Sequence, residues 1–233
     1  MSTDIQEFVV ETGKGESVTA MLYRASKRRG ATVILGHGAG ADQLSPFMQL
    51  FASGLADRGL EVLTFNFVYM QQRRSIPDRN DKLEACYRAV IEFASTCSEL
   101  RNNLLVIGGK SMGGRIASQV AARAEPSLRK EPSALVFFGY PLHPPGKPEK
   151  RRDEHLKNIK SPMLFVQGSR DAFGRPEELQ PVIESIPAKA TLYAIEGGDH
   201  SLKVKKSADR SQPQVYNDVM DEVVRWLTTA IPV

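Results

Sequence analysis

The sequence LLVIGGKSMGGRIASQVAARA, residues 104–124, decides the fold. It begins with an apolar, β-branched run, passes through closely spaced glycines around one serine, and continues with apolar residues at helical spacing. This order predicts a buried strand over 104–109, a tight turn at Ser111 and a helix over 115–124. A G-x-S-x-G pattern between a strand and a helix is typical of a turn that presents a nucleophilic serine above a sheet. The alternative is a glycine-rich turn whose serine only caps the helix.

Strand and helix signals alternate on both sides of this stretch. Apolar runs predict five further strands, at 31–36, 60–67, 134–139, 162–168 and 190–197. Helices are predicted between them at 81–97, 177–186 and 214–230, and after Ser45-Pro46 with an apolar stripe of Phe47, Leu50, Phe51 and Leu55. Two segments near the start, 7–11 and 17–24, predict an antiparallel hairpin. We therefore expect an α/β fold with an eight-stranded, mostly parallel sheet and helices on both faces.

Composition limits the partners that this chain is expected to have. The formal net charge of +4 over 233 residues is too small to indicate a nucleic-acid partner. No apolar run approaches the ~18 residues that a membrane helix needs, so no membrane partner is expected. No linker divides the chain, so residues 1–233 are predicted to form a single domain without a cap. The Pro-rich and charged segment 140–161 is predicted to be a loop with one short helix over the strand ends, and so over the active site.

The two cysteines, Cys86 and Cys97, lie in the predicted helix 81–97. Eleven helical residues separate their Cα atoms by ~16 Å, whereas a disulfide needs less than ~7 Å. We therefore expect both thiols to be reduced core groups. Reduced thiols, together with an N-terminus that lacks the pattern of a signal peptide, predict a cytoplasmic location.

A serine hydroxyl is a weak nucleophile unless a base removes its proton, and that base needs an acid to orient it. Asp171 follows the predicted strand 162–168, and His200 follows the strand 190–197. In α/β-hydrolase sheets the order is serine, acid, histidine, each placed after a strand. Ser111, Asp171 and His200 are therefore the predicted triad.

Three other carboxylates lie near these positions. Asp199 precedes His200 directly, and an adjacent carboxylate cannot easily turn onto the same imidazole, so we assign it to a turn. Glu177 and Glu178 follow Pro176 at a predicted helix start, where carboxylates are favoured in any case.

A second glycine-rich stretch, LGHGAGA at 35–41, closes the strand 31–36. A tetrahedral intermediate needs two donors for its oxyanion, and we expect these to be the backbone N–H groups of Met112 and Ala39. The alternative is a turn whose glycines only permit close packing. His37, Lys110 and His143 are predicted to contact the substrate.

Two nucleotide-binding patterns match this chain only in part. The strand after G-x-G-x-x-A at 36–41 ends without the acid that a dinucleotide site needs. Position 104 is leucine, where a P-loop that includes Gly109 needs glycine. No organic cofactor and no metal are expected.

Basic residues crowd the segments that leave the predicted strand ends. They are Arg73, Arg74, Arg79, Lys110, Arg115, Lys147, Lys150, Arg151 and Arg152. One hypothesis is a positive funnel that favours anionic esters. The alternative is ordinary surface charge, partly cancelled by Glu149, Asp153 and Glu154.

Six stretches in order carry a resemblance to the α/β-hydrolase superfamily. They are GHGAG, FNF, GGKSMGGR, YPLHPPGKPE, LFVQGSRDAFG and GDHSLK. More narrowly, the chain resembles bacterial relatives of the testis-expressed α/β-hydrolase-like family, which is related to a subunit of the non-specific-lethal acetyltransferase complex and is often labelled dienelactone-hydrolase-like. The resemblance implies the same triad. Dienelactone hydrolases proper usually have a cysteine nucleophile, so their ring-opening activity is not carried over.

These observations predict a serine hydrolase that cleaves a carboxylic ester, or a thioester, of a small acyl substrate through an acyl-enzyme intermediate. Amide hydrolysis is a less favoured possibility. The alternative from another class is a hydrolase fold that acts mainly as a protein-interaction module with little turnover.

Overall fold

The computed structural model describes residues 4–123, 128–205 and 210–232. The strands are β1 Ile5–Gly13, β2 Glu16–Tyr23, β3 Ala31–Gly36, β4 Glu61–Phe65, β5 Leu104–Lys110, β6 Ala134–Phe138, β7 Met163–Gly168 and β8 Ala190–Ile195. The helices are α1 Pro46–Asp57, α2 Val68–Gln71, α3 Asn80–Thr96, α4 Met112–Ala122, α5 Pro176–Ser185 and α6 Gln212–Ala230, with a 3₁₀ turn at Leu156–Asn158.

The strands form one sheet in the order β1-β2-β4-β3-β5-β6-β7-β8. β1 and β2 pair antiparallel, β2 also pairs antiparallel with β4, and β3 to β8 are parallel. This confirms the predicted eight-stranded α/β fold. Parallel strands all end at one edge of the sheet, so the loops after β3, β5, β7 and β8 can meet there.

Alternate residues of the central strands pack into two separate cores. On β3, Ile34 faces the core beneath α3, α4 and α5, while Val33 and Leu35 face the core beneath α1 and α6. On β5, Ile107 and Val106 divide in the same way. Because successive side chains of a strand point to opposite faces, strands covered on both sides must be apolar throughout.

The glycines around Ser111 allow three backbone segments to touch. A Cβ atom added to Gly109 would lie 2.2 Å from the carbonyl oxygen of Gly36, and one added to Gly113 would lie 2.1 Å from it. Neither distance is possible for a real side chain. β3, β5 and α4 therefore approach as closely as they do because these positions carry no side chain.

Several boundaries and exposures differ from the sequence-based expectations. Leu50, predicted on the buried stripe of α1, is 44% exposed, because Met48 and Ala52 share the buried side of that helix instead. β8 is half-buried along most of its length, because it is an edge strand that pairs only with β7. The predicted end of the helix at residue 124 lies outside the described residues.

The segment 140–161 is anchored rather than freely solvated at its start. Tyr140, Leu142 and His143 are buried, and the one short helix predicted in this segment is the 3₁₀ turn. Both cysteines are free, as expected, although Cys97 is only half-buried. None of the helices described here is long and apolar enough to cross a membrane.

Candidate active site

Ser111 occupies a strained turn between β5 and α4. Its backbone has φ 52° and ψ −115°, a left-handed conformation that non-glycine residues rarely adopt. The turn is held at both ends, because Ser111 N–H donates to Phe138 O at 3.0 Å and Arg115 N–H donates to Ser111 O at 3.0 Å. The side chain is half-buried and lines a cavity.

His200 lies between Ser111 and Asp171. Its Nδ1 is 2.9 and 2.8 Å from the two carboxylate oxygens of Asp171, and its Nε2 is 2.8 Å from Ser111 Oγ. An ionised carboxylate only accepts hydrogen bonds, so Nδ1 carries the proton and Nε2 accepts from the serine hydroxyl. The three residues predicted from the order of the chain therefore form one hydrogen-bonded series.

Asp171 is fully buried, and backbone and side-chain donors surround its carboxylate. Oδ1 accepts from Phe173 N–H at 2.8 Å, and Oδ2 accepts from Gln167 Nε2 at 2.8 Å. Together with His200, these donors satisfy a charge that burial would otherwise make costly. The carboxylate thus has a single orientation toward the imidazole.

Two residues that support this series were not predicted. Gln167, fully buried at the end of β7, accepts from Tyr140 N–H at 2.8 Å in addition to its bond with Asp171. The ring of Phe173 stacks on His200, with centroids 4.1 Å apart and planes at 28°. The available signal for Gln167 was one polar residue in an otherwise apolar strand, MLFVQG.

The other carboxylates have structural contacts, as expected. Asp199 Oδ1 accepts from the N–H groups of Ser201 and Lys203 at 2.7 and 2.9 Å, which closes a turn. Glu178 accepts from Arg175 N–H at 2.8 Å and so caps α5. Neither side chain hydrogen-bonds the His200 imidazole in the part of the chain described.

Lys110, predicted to contact the substrate, lines the cavity and also has a contact within the protein. Its ammonium donates to the backbone carbonyl of His200 at 2.6 Å and lies 5.9 Å from the centroid of the Phe47 ring. The side chain is buried, and burial lowers its pKa to about 8 despite the nearby charge of Asp171. Lys110 therefore ties the His200 loop to the serine turn.

The structure corrects the predicted substrate contacts of His37 and His143, neither of which lines the cavity. His37 is fully buried: Nδ1 donates to Gly38 O at 2.9 Å and Nε2 accepts from Phe67 N–H at 3.1 Å. Burial lowers its pKa to about 4. His143 is buried, and its two ring nitrogens contact Pro144 O and Glu178.

The two predicted oxyanion donors lie on the cavity beside Ser111. Ala39 and Met112 both line it, and Met112 is the first residue of α4, whose N–H has no partner within the helix. Gly38 brings the first loop close, because a Cβ added there would lie 3.7 Å from Ser111 Cβ. Both backbone groups are thus placed near the serine.

The cavity has a volume of about 770 Å³. Apolar side chains from α1 and α3 form much of its wall, including Phe47, Met48, Leu50 and Leu83. Its charged lining residues, apart from His200, are Lys110, Arg115, Arg152, Lys203 and Asp78. Of the nine basic residues in the predicted funnel, only three line the cavity, while Arg74 and Arg151 pair with Asp78 and Asp153. Within the described ranges, no cluster of three or more His, Cys, Asp or Glu side chains could hold a metal.

Comparison with known proteins agrees with this fold. The family model for an alpha/beta hydrolase domain matches residues 29–228, so the chain belongs to the α/β hydrolase superfamily. The narrower resemblance to the testis-expressed family stays a prediction.

Solved structures with this fold include an α/β serine hydrolase homologue from Coxiella burnetii, with 18% identity, TM-score 0.74 and coverage of 97% of this chain and 99% of that one. A dienelactone hydrolase from Anabaena variabilis has 18% identity and TM-score 0.73, with the same coverage. A lidless α/β serine hydrolase from Xanthomonas campestris has 17% identity and TM-score 0.73, covering 100% of this chain and 98% of that one. At these identities the likeness shows the fold alone.

Proposed function

We propose that this protein is a single-domain serine hydrolase that cleaves carboxylic esters, or thioesters, through an acyl-enzyme intermediate. The observation that supports it best is the hydrogen-bonded series Ser111–His200–Asp171 at the wall of the cavity. The strained serine turn, after a buried strand and before a helix, supports the proposal because a nucleophile elbow has this arrangement.

The first half of the proposed reaction forms the acyl-enzyme. His200 Nε2 takes the hydroxyl proton of Ser111 as Oγ attacks the acyl carbonyl carbon, and Asp171 stabilises the imidazolium that results. The carbonyl oxygen becomes an oxyanion, which accepts hydrogen bonds from the N–H groups of Ala39 and Met112. The tetrahedral intermediate then expels the alcohol or thiol, which takes its proton from His200.

The second half releases the acid. His200 removes a proton from a water molecule, which attacks the acyl carbon, and the same two N–H groups donate hydrogen bonds to the second oxyanion. Ser111 leaves with the proton that His200 had taken, which restores the starting state. The chain's own residues supply every proton transfer in this sequence.

Covalent labelling tests the nucleophile. We expect a fluorophosphonate probe to label the parent protein once per chain, at Ser111, and Ser111→Ala to abolish both labelling and the hydrolysis of aryl acetates. Ser118→Ala is a matched control, because Ser118 also lies on α4 and 2.8 Å from a histidine nitrogen, but outside the cavity. It should keep labelling and activity within about 3-fold.

Equal hydrolysis by Ser111→Ala and the parent would remove the nucleophile assignment. A folded parent protein that neither reacts with the probe nor hydrolyses any ester would favour an interaction module.

The free thiols of Cys86 and Cys97 fit a reducing compartment such as the cytoplasm.

A further inference from the structure

Arg115 and Arg152 line the cavity, and among the described residues neither forms an ion pair with a carboxylate. Asp153, the acid nearest Arg152 in sequence, binds Arg151 through both oxygens at 3.0 and 2.8 Å. Glu84, whose charge raises the pKa of Arg115, contacts Arg123 at 2.9 Å.

The guanidinium of Arg115 has one edge free for a ligand. Its Nη1 donates to Asn80 Oδ1 and Gln119 Oε1 at 3.0 and 3.1 Å, and among residues 4–123, 128–205 and 210–232 no protein group hydrogen-bonds Nε or Nη2. Two neutral amides thus fix the side chain without neutralising it. The Nε–Nη2 edge of a guanidinium is suited to the two oxygens of a carboxylate.

The charge of Arg152 acts on Arg115. Burial is the larger cause that lowers the pKa of Arg115, and the positive charge of Arg152 lowers it further. Tyr140 Oη–H donates to the backbone oxygen of Arg152 at 2.8 Å and so fixes this part of the loop beside the cavity. Two like charges held together at one wall are stabilised when an anion binds between them.

The position of this charge relative to Ser111 is set by α4. Arg115 is four residues after Ser111, one helical turn or about 5.4 Å along the axis. The acid that lines the same cavity, Asp78, is paired through Oδ1 with Arg74 at 2.7 Å. Lys110 donates to the backbone carbonyl of His200, and Lys203, which also lines the cavity, is exposed to solvent. Arg115 and Arg152 are the half-buried cations that can bind a ligand at this wall.

We propose that Arg115 and Arg152 form a carboxylate-binding subsite, which makes an ester that carries a second, ionised carboxylate the preferred substrate. This proposal rests on the proposed function and names its substrate class. The carboxylate binds the free edge of Arg115 and the charge of Arg152, while the ester carbonyl lies at Ser111 one turn away.

Stable half-esters of dicarboxylic acids test the preference. Monomethyl succinate, glutarate and adipate are each compared with the neutral analogue in which an amide replaces the carboxylate, and methanol release is measured. We expect kcat/KM for the best half-ester to exceed that of its amide by about 10–100-fold, since a charge-assisted pair is lost in the amide. This preference ratio, kcat/KM for the half-ester divided by kcat/KM for its amide analogue, should fall as the salt concentration rises. The reason is that the Debye length contracts from ~10 Å at 0.1 M to ~3 Å at 1 M.

Variants assign the preference to the two arginines. Arg115→Gln and Arg152→Gln should each lower the preference ratio at least 5-fold. Both variants should keep kcat/KM for the neutral methyl esters that carry the amide group within about 3-fold of the parent, which also shows that the variants fold. Lys150→Gln is the matched control, since Lys150 is exposed, lies in the same loop and does not line the cavity. It should keep the parent's ratio.

A binding measurement separates this proposal from the proposed function. Titration calorimetry of Ser111→Ala with monomethyl glutarate needs no turnover, and the Ser111→Ala/Arg115→Gln double variant should bind at least 5-fold more weakly. If the parent hydrolyses neutral esters with a ratio near 1, or if the arginine variants leave the ratio unchanged, the subsite is wrong and the hydrolase stands. If no ester is hydrolysed but binding depends on Arg115, the subsite stands alone. Failure to bind in calorimetry, with no hydrolysis, overturns both.

Discussion

Two serine–histidine pairs lie along α4 with the same separation and opposite chemistry. Ser111 Oγ is 2.8 Å from His200 Nε2, and Ser118 Oγ is 2.8 Å from His155 Nε2. At the first pair Asp171 holds the second imidazole nitrogen, so the serine donates its proton. At the second, Ser118 Oγ–H donates to Arg115 O at 2.7 Å, and so its oxygen accepts from His155.

On the proposed mechanism, a serine–histidine distance of 2.8 Å is not enough to make a nucleophile. No carboxylate described in the structure hydrogen-bonds His155, and burial lowers the pKa of this histidine to about 4. Ser118 is fully buried on the core-facing side of α4, whereas Ser111 lines the cavity. On the proposed mechanism, the carboxylate of Asp171 and access to the cavity distinguish Ser111 from Ser118.

The largest effect is expected when the carboxylate of Asp171, which binds His200, is replaced. Asp171→Asn should lower kcat by about 10⁴-fold, because an amide in place of the carboxylate favours the wrong tautomer of His200. Asp153→Asn is the control, because Asp153 lies two residues from His155 and binds Arg151 instead. Ester hydrolysis by both variants measures the difference. Comparable activity in the two would mean that another acid orients His200.

A smaller effect concerns the histidines that the fold keeps neutral. The pKa of His155 is about 4 when folded and near 6.5 when unfolded, so the unfolded chain binds more protons between these values. The same holds for His37, which must stay neutral to accept Phe67 N–H. Stability is therefore lost as pH falls from 6.5 toward 4. Between pH 7 and pH 4.5, the unfolding free energy of His155→Leu should fall by about 1–3 kcal/mol less than that of the parent.

Urea denaturation at the two pH values measures this change for the parent and for His155→Leu. A difference in unfolding free energy that is the same at both pH values would show that His155 is not held neutral. Ser118 keeps its bond to Arg115 O in this variant, so the substitution leaves its hydroxyl partnered.

The smallest effect is expected at Lys110, which anchors His200 and has no counterpart beside His155. Burial lowers its pKa to about 8, below the unfolded value near 10.5, so the unfolded chain binds more protons in this window. The unfolding free energy of the parent should rise relative to Lys110→Met by about 1–2 kcal/mol between pH 7.5 and pH 9.5. Chemical denaturation at both pH values checks it. If the difference in unfolding free energy between the parent and Lys110→Met were the same at both pH values, the ammonium of Lys110 would be exposed to solvent.

The meeting of Ser111, Asp171 and His200 could be predicted because it depends only on the parallel strands and the order of the chain. Each residue follows a strand, and parallel strands end at one edge. The contacts of Gln167 and Phe173 depend on how the loop after β7 turns, which periodicity does not describe. Their positions therefore emerged only from the structure.

The predictions that failed concern the direction of side chains and the order of strands. His37 lies next to the serine turn, yet it points into the core because Gly38 O and Phe67 N–H bind both ring nitrogens. β8 has the composition of a buried strand, but strand order makes it an edge. Neither property is encoded by local pattern, because each depends on segments far along the chain.

The close contact of Gly36 with Gly109 and Gly113 also has a kinetic consequence. The strand pairs Ala31–Gly36 and Leu104–Gly109 come from distant parts of the chain, and such non-local parallel pairing is slow to form. β7 and β8, which Asp171 and His200 follow, come later in the chain than β3 and β5. A growing polypeptide can thus form the serine turn while it still has no proton acceptor beside it. On the proposed mechanism, the nascent chain has no catalytic base until β8 has joined the sheet.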